Sequence, residues 1–520
     1  MASHGIAGRL VKGSAWIASA RVIVNSLAAL STIAIAIFLT PADVGLVAIG
    51  STLAAIATSV TEMSLSQALV RHHDPTAEHF STVWSLGVLR GFLLFAAMAI
   101  AAYPVAQAYD DPRLTPIILW LGLGVFLSCL VNPRRVILQR KLVFWQDFVL
   151  NVSQKLAGVV ASVAVAAIYQ SYWALVVGAV VSGLTNMVVS FMAVPFRPRF
   201  TLRHWRELIS FSGWLTAAQI MNTLNWRFDY LLIGKLLGQD PLGQYTVGSN
   251  LAVMPTREAI LPLTLTLYPA FSALSGEPTR LAAAYQRSQA FITAIALPAG
   301  IGAALIADPM VRLLMGEKWA PAIFVIQSLG PVFALQTIGQ FAQPLGMALG
   351  QTRLLFVRDL QLFFIRLPII IVCTIMFGLT GLVLGRSFAG LFGIVFNVQL
   401  VKRFVEVGIL AQFAVNGRAL LSAAVMTAGT IALAYVMPAA QSRSDLVLEV
   451  AARVVTGGIL FCGTMIGSWL LLNRPIGPEN ELIRLWRQFA DRDSKPSAAA
   501  SVLKTEEAPG EAAVKHSADQ

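Results

Sequence analysis

The chain has 520 residues, of which 57% are hydrophobic and only 12% charged, with a mean hydropathy of +0.71. Soluble proteins carry roughly 25% charged residues, which excludes water as the main solvent here. The net charge of +12 would suit nucleic acid, but most of the excess borders apolar spans, where topology and anionic lipid account for it, and no nucleic-acid partner is expected.

In chain order, apolar stretches of roughly twenty residues fall near 16–39, 44–64, 83–103, 114–131, 148–169 and 173–194. The basic segment Arg197 to Arg206 follows. Further stretches lie near 209–234, 243–268, 288–307, 322–349, 355–378, 380–401, 418–438 and 450–472, about fourteen in all. The seventh and eighth carry charges. Continuous apolar runs with internal Gly and Pro, and no alternation of polarity, predict an all-α bundle of membrane-spanning helices and not an outer-membrane barrel.

The first span follows Arg9 and Lys12 like a signal peptide, but it is too long for one and contains Arg21 and Asn25, so a retained helix is expected. With that terminus cytoplasmic, Arg71, the cluster Arg134, Arg135, Arg140 and Lys141, the cluster Arg197, Arg199, Arg203 and Arg206, and Lys402, Arg403 and Arg418 share its side. The other side receives few basic residues, such as Arg113, Lys235, Arg312 and Lys318. Both termini are therefore expected in the cytoplasm of a cell with this protein in its inner membrane, in contact with membrane lipids. Cys129, Cys373 and Cys462 lie far apart inside apolar spans and read as small core residues. Beyond Asn473, Glu481 to Ala490 can form a basic surface helix, and Ser494 to Gln520 has the composition of a disordered tail.

The chain repeats itself. A shift of 198 residues sets Ser14-Ala15-Trp16 on Ser212-Gly213-Trp214, Gly45 on Gly243, and Gly50-Ser51-Thr52-Leu53-Ala54 on Gly248-Ser249-Asn250-Leu251-Ala252. Two parallel six-helix lobes are implied, over 1–200 and 201–410, followed by two extra helices over 411–474 and a tail over 475–520. A substrate path is expected between the lobes.

The first helix of each lobe carries polar residues. Ser14, Arg21, Asn25 and Thr32 share one stripe at helical spacing, and Thr216, Gln219, Asn222, Asn225 or Trp226, and Asp229 form another. The plain alternative is helix–helix hydrogen bonding, worth about 0.6 kcal/mol on average in a membrane bundle. A central charge costs at least about 2.5–3.5 kcal/mol, so an intramembrane arginine should face a cavity or a partner. Arg21, Arg90, Arg227, Arg257, Arg366, Arg386 and Lys155 fall within spans, against Glu62, Asp229 and Glu258. Unless side chains such as Arg90, Arg386 and Lys155 snorkel to an interface, the interior stays cationic, which suits an anionic passenger with phosphate oxygens. There is no P-loop, metal-ligand cluster or Ser/His/Asp arrangement, so neither a cofactor nor an enzymatic activity is expected.

Several motifs resemble one family. Phe211-Ser212-Gly213-Trp214-Leu215 through Asn222, Arg227-Phe228-Asp229-Tyr230 through Gly238, Leu242-Gly243-Gln244-Tyr245, Leu138-Gln139-Arg140-Lys141-Leu142, and Ala307-Asp308-Pro309 through Trp319 are similar to Wzx-type, WzxC-like polysaccharide flippases. Those belong to the multidrug/oligosaccharidyl-lipid/polysaccharide exporter superfamily. The resemblance implies MATE- and MurJ-like lobes and translocation of an undecaprenyl-diphosphate-linked oligosaccharide for exopolysaccharide, capsule or lipopolysaccharide synthesis by alternating access. A polysaccharide polymerase and co-polymerase are candidate partners on the same grounds. It further implies substrate entry near the first and eighth helices, where Arg21 and Arg257 fall, and an acidic residue at Glu62. The expected cavity residues are Arg21, Asn25, Glu62, Gln219, Asn222, Arg227, Asp229, Arg257 and Arg366. A cation-coupled multidrug antiporter of the same superfamily is the alternative.

Overall fold

The computed structural model describes residues 2–61, 69, 75–140, 145–205, 213–438, 442–473, 477 and 479, and every regular element among them is helical. The main helices are α1 (Ala2–Phe38), α2 (Pro41–Val60), α3 (Ala77–Ala108), α4 (Leu114–Cys129), α5 (Trp145–Tyr169), α6 (Trp173–Ala193) and α7 (Gly213–Leu236). They continue with α8 (Gln239–Ala273), α9 (Pro278–Leu305), α10 (Ala320–Leu335), α11 (Thr352–Val405), α12 (Gly417–Val436) and α13 (Arg443–Leu471). Among the described residues ten helices are long and apolar enough to cross a membrane; α4, at 16 residues, is a shorter apolar one, and the charge-bearing α7 and α8 fall outside the ten.

Local sequence sets the boundaries. Helix α2 begins on Thr40, whose hydroxyl accepts the Asp43 N–H while the Asp43 carboxylate accepts the Thr40 N–H, a reciprocal cap preceding Pro41. Ser442 and Asp445 open α13 in the same way. A straight helix of α11's 54 residues would be about 80 Å long, more than twice the membrane's hydrocarbon thickness of about 30 Å. It turns back at Gly378 (φ 60°, ψ −139°), a conformation open to glycine. Gly385 then packs on Cys373, and Arg358 donates to Asn397 Oδ1 at 3.0 Å across the hairpin. Its two arms coincide with the apolar stretches near 355–378 and 380–401.

On α1 the large apolar residues Trp16, Ile23, Leu30 and Ile37 recur every seven positions and are exposed, forming a lipid-facing stripe. The largest buried cluster joins the two halves of the chain: Leu39, Leu46 and Ile49 pack with Ile117 and Ile118, and with Ile233, Leu242, Tyr245 and Trp319. This core lies toward the end of the bundle that carries the α1–α2 turn. There Trp319 Nε1 donates to the Ala36 carbonyl at 2.9 Å, and Lys318 Nζ to the carbonyls of Ile37 and Leu39 at 2.8 and 2.9 Å. Tyr109 donates to the Leu231 carbonyl at 2.9 Å.

The closest approach is reciprocal. A Cβ on Gly45 would stand 1.9 Å from the Gln239 carbonyl oxygen, and one on Gly243 would stand 1.8 Å from that of Pro41. Pro41 and Gln239 are separated by 198 positions, as are Gly45 and Gly243, so each glycine packs on the backbone carbonyl of the first residue of the other's helix. Glu62, Arg71, Lys141, Arg206 and the segment 481–520 lie outside the described residues, as do the side chains of Ser14, Arg140 and Thr216.

Candidate functional site

The end of the bundle that carries the α1–α2 turn is pinned by the Trp319 and Lys318 contacts and the α2–α8 crossing, and beneath this pinned end lies a cavity of about 420 Å³ between the halves. Ser31 and Thr32 of α1, Lys155 of α5, Arg227 and Tyr230 of α7, and Asn250 of α8 line it, with parts of α2 and α6. The small residues on α5 and α6 bring Lys155 inside. A Cβ on Gly178 would meet Ser162 Oγ at 1.8 Å and the Gly158 carbonyl oxygen at 2.9 Å, an approach only small side chains permit. Among the described residues neither Lys155 nor Arg227 has a carboxylate partner; the Arg227 guanidinium lies 5.5 Å from the Tyr230 ring centroid. Among the described residues the cavity thus holds two cations without a carboxylate partner, one from each half, among hydroxyl and amide groups.

Arg227 and Asp229 diverge because two residues turn a helix by about 200°. Arg227 faces the cavity. Asp229, 1% exposed, faces the α11 hairpin, where it pairs with Arg366 and with Arg386 Nε at 3.3 Å and accepts the Tyr245 hydroxyl at 3.0 Å. Arg386 also lies 5.2 Å from the Trp226 ring centroid and donates to the Asn225 carbonyl at 3.3 Å. The Asn225 amide in turn donates to the Asp359 carbonyl at 2.9 Å, and Arg358 pairs with Asp359 at 2.8 Å. One carboxylate between two guanidinium groups makes a buried, net-positive clamp from α7 to α11.

Several expectations change here. Asp229 and Arg366, expected in the cavity, are held by one another inside protein. Arg386 is buried at 8% exposure and does not snorkel. Lys155 lines the cavity. The α7 stripe turns Asn225 and Asp229 toward the hairpin, while Gln219 is exposed and Asn222 half-buried nearer the helix start. Arg90 donates to Thr61 Oγ1 and the Thr58 carbonyl, each at 3.1 Å, capping the end of α2.

The α1 stripe extends from the cavity downward. Thr32 lines it, the Asn25 amide donates to the Glu258 carboxylate of α8, and Arg21 lies one turn further, half-buried. Arg257 is exposed on α8. Counted along their helices, Arg21 and Arg257 both lie about 26 Å from the pinned end, a shared depth below the cavity. Glu62 lies outside the described residues. The sequence placed Lys155 and Arg386 within spans but left both free to snorkel, because nothing local distinguishes a charge facing the interior from one reaching an interface, and it did not single out Tyr230. The Gly158, Ser162, Gly178 and Ser182 spacing was the signal available for Lys155.

Above the cavity, outside the spans, Arg113 donates to both Asp111 oxygens at 2.7–3.1 Å and to Gln239 Oε1 at 3.1 Å, bridging the halves. The Arg113 hydrogen bond holds the Asp111 carboxyl below its usual range, against the opposing effect of burial.

A family model described as "Polysaccharide biosynthesis protein" matches residues 34–324. The chain is 25% identical over 385 residues to the lipopolysaccharide biosynthesis protein WzxC of Escherichia coli K12, covering 72% of this chain and 77% of that one. It is 22% identical to the teichuronic acid biosynthesis protein TuaB of Bacillus subtilis, covering 58% and 63%, and 22% identical to the succinoglycan biosynthesis transport protein ExoT of Rhizobium meliloti, covering 55% and 58%. In fold it is similar to the lipid II flippase MurJ in an inward closed conformation, with TM-score 0.66 and 13% identity over 88% of this chain and 99% of that one. An inward-facing multidrug-resistance MATE transporter of the MOP superfamily matches with TM-score 0.57 and 15% identity over 74% and 96%.

Proposed function

The chain belongs to the polysaccharide biosynthesis protein family, and from that premise we propose that it is a flippase moving an undecaprenyl-diphosphate-linked oligosaccharide from the cytoplasmic to the periplasmic leaflet of the inner membrane. The observation that carries this reading is the inter-half cavity that Lys155 and Arg227 face with no carboxylate partner among the described residues. Relatives whose names place them in lipopolysaccharide, teichuronic acid and succinoglycan synthesis support a glycan precursor as cargo.

In this reading the chain spans the membrane fourteen times, as two parallel six-helix lobes and two further helices, with both termini cytoplasmic. The reciprocal contacts of Gly45 and Gly243 support the parallel repeat, and the distribution of basic residues supports the orientation. The pinned end is then periplasmic, and the cavity is closed on that side. Arg21 and Arg257, at one depth on α1 and α8, receive the diphosphate at the cytoplasmic leaflet; Lys155 and Arg227 hold it deeper. Asn25, Gln219 and Asn222 offer hydrogen bonds along this route.

A diphosphate carries about two negative charges, and each gains roughly 2.3 kcal/mol per 100 mV on moving outward across an inside-negative membrane. The barrier is dehydration of the headgroup, which cations in a low-dielectric cavity offset. Complementation of a flippase-null strain tests the assignment. Arg21→Ala, Arg257→Ala, Lys155→Ala and Arg227→Ala should each strongly reduce polymer export at unchanged membrane level. Arg→Lys at 21, 227 or 257 should retain part of it, since a point charge survives without the bidentate fork. Full export by the Lys155→Ala, Arg227→Ala double variant overturns the cavity as the substrate path.

A further inference from the structure

Most of the hydroxyl groups around the inter-half cavity are already occupied. Thr32 and Thr246 donate to the Ala28 and Leu242 carbonyls of their own helices at 2.9 and 2.7 Å, and the Tyr230 hydroxyl is 3.0 Å from Ser249 Oγ. Ser31 and Ser162 are buried. Ser51 of α2 and Asn250 of α8 differ: both line the cavity, both are exposed, and neither side chain has a hydrogen-bond partner among the described residues.

Their place in the fold puts both under the closed crossing. Gly45 and Gly243 mark where the α2 and α8 backbones touch. Asn250 follows Gly243 by seven residues, close to two helical turns, so it lies on the side of α8 that faces α2, about 10 Å below the crossing. Ser51 follows Gly45 by six residues on the other half of the chain. Counted along their helices, Ser51, Asn250 and Arg227 lie about 14–17 Å from the pinned end and Lys155 about 21 Å, near the middle of a hydrocarbon layer about 30 Å thick. A carboxamide at that depth with no protein partner takes its hydrogen bonds from whatever fills the cavity.

Resting on the flippase reading above, we propose that Ser51 and Asn250 form a subsite for the sugar joined to the diphosphate and select the cargo by that first sugar. The cavity, at about 420 Å³, is toward the small end of ligand sites, which run from about 300 to 1,000 Å³. A diphosphate held by Lys155 and Arg227 therefore brings the sugar bonded to it, and not the far end of an oligosaccharide, within reach of Ser51 and Asn250. The Asn250 carboxamide donates through Nδ2 and accepts through Oδ1, and the Ser51 hydroxyl does both, which complements the hydroxyl and acetamido groups of a sugar ring. No carboxylate is among the described lining residues, and the diphosphate engages both cations, so the subsite suits a neutral sugar and not a uronic acid.

Native mass spectrometry of the full chain in mild detergent tests this with three probes: undecaprenyl diphosphate alone, and the same lipid carrying glucose or N-acetylglucosamine. The unaltered chain should bind at least one sugar-bearing lipid about tenfold more tightly than the bare one, the worth of one hydrogen bond. Asn250→Leu, similar in shape but without hydrogen-bonding groups, should abolish that preference and leave affinity for the bare lipid unchanged, which also shows that the variant is folded. Ser51→Ala should reduce the preference in the same direction. The Lys155→Ala, Arg227→Ala double variant should lose all three lipids. Equal affinity of the unaltered chain for the three lipids, a preference that survives in both Asn250→Leu and Ser51→Ala, or an equal loss of bare and sugar-bearing lipid in both variants overturns the sugar subsite and leaves the diphosphate site standing. Binding of none of the three by the unaltered chain overturns the flippase reading and the subsite with it.

Discussion

Replacing Gly243 with Ala inserts one methyl group where α8 crosses α2. Its Cβ would stand 1.8 Å from the Pro41 carbonyl oxygen and 2.6 Å from the carbonyl carbon, whereas such a carbon and oxygen rest about 3.3 Å apart. The helices must separate there by about 1.5 Å, and both partners are backbone, so no rotamer relieves the clash. Overpacking of this kind costs about 1–3 kcal/mol, a shift of roughly 5- to 150-fold in any equilibrium where this contact forms on one side only. The pinned arrangement should lose population by that factor. The assay is disulfide trapping between cysteines placed at Ala108 and Lys235, whose backbone carbonyl and side chain meet at this end, with export measured in parallel. Gly45→Ala should behave alike because its Cβ meets the Gln239 carbonyl at 1.9 Å. The double variant should fall short of the sum because both methyls open one crossing. Trapping and export unchanged in either single variant would refute the crossing as the seal.

Asp229→Asn leaves Arg366 and Arg386 facing each other in protein interior, which costs about 3–5 kcal/mol; Arg366→Leu leaves a one-to-one pair and should cost less. Thermal unfolding in detergent reads the order, and equal losses would remove the clamp. The Asp111 carboxyl is held low by Arg113, so its stabilising contribution is fully present above the ordinary Asp value of about 3.9 and is lost as pH falls through the lowered folded value. Trapping at the pinned end should therefore be constant from pH 7 to about pH 5; a decline within that window counts against this group as its latch. Cysteines at Arg21, Asn25 and Thr32 should react with soluble thiol reagents far faster than cysteines at Ile23, Leu30 and Ile37, and equal rates on both faces would remove the aqueous path along α1.

Much of the architecture was legible in the chain. The apolar stretches near 355–378 and 380–401 are the arms of the α11 hairpin, and Gly45 and Gly243, paired by the 198-residue shift, meet at one helix crossing. Lipid demands that each spanning segment satisfy its own backbone, so length and hydropathy mark such helices before any packing is known. The α1 stripe was readable for the same reason: helical periodicity is a local property, and Thr32, Asn25 and Arg21 keep their common face in the structure.

Charges were harder to place. The sequence showed more intramembrane bases than acids, but it could not say which bases the few acids serve. Arg366 and Arg386 both meet Asp229, more than 130 positions earlier, because the hairpin at Gly378 brings its arms against α7. Arg227 and Lys155, which line the cavity, have no carboxylate partner among the described residues, although neither differs in local context from those that found partners. A span's composition fixes that it crosses the membrane; ion pairing depends on which helices lie side by side, and that is decided by small-residue contacts such as Gly178 on Ser162 and by a single glycine turn, through packing between segments far apart in the chain.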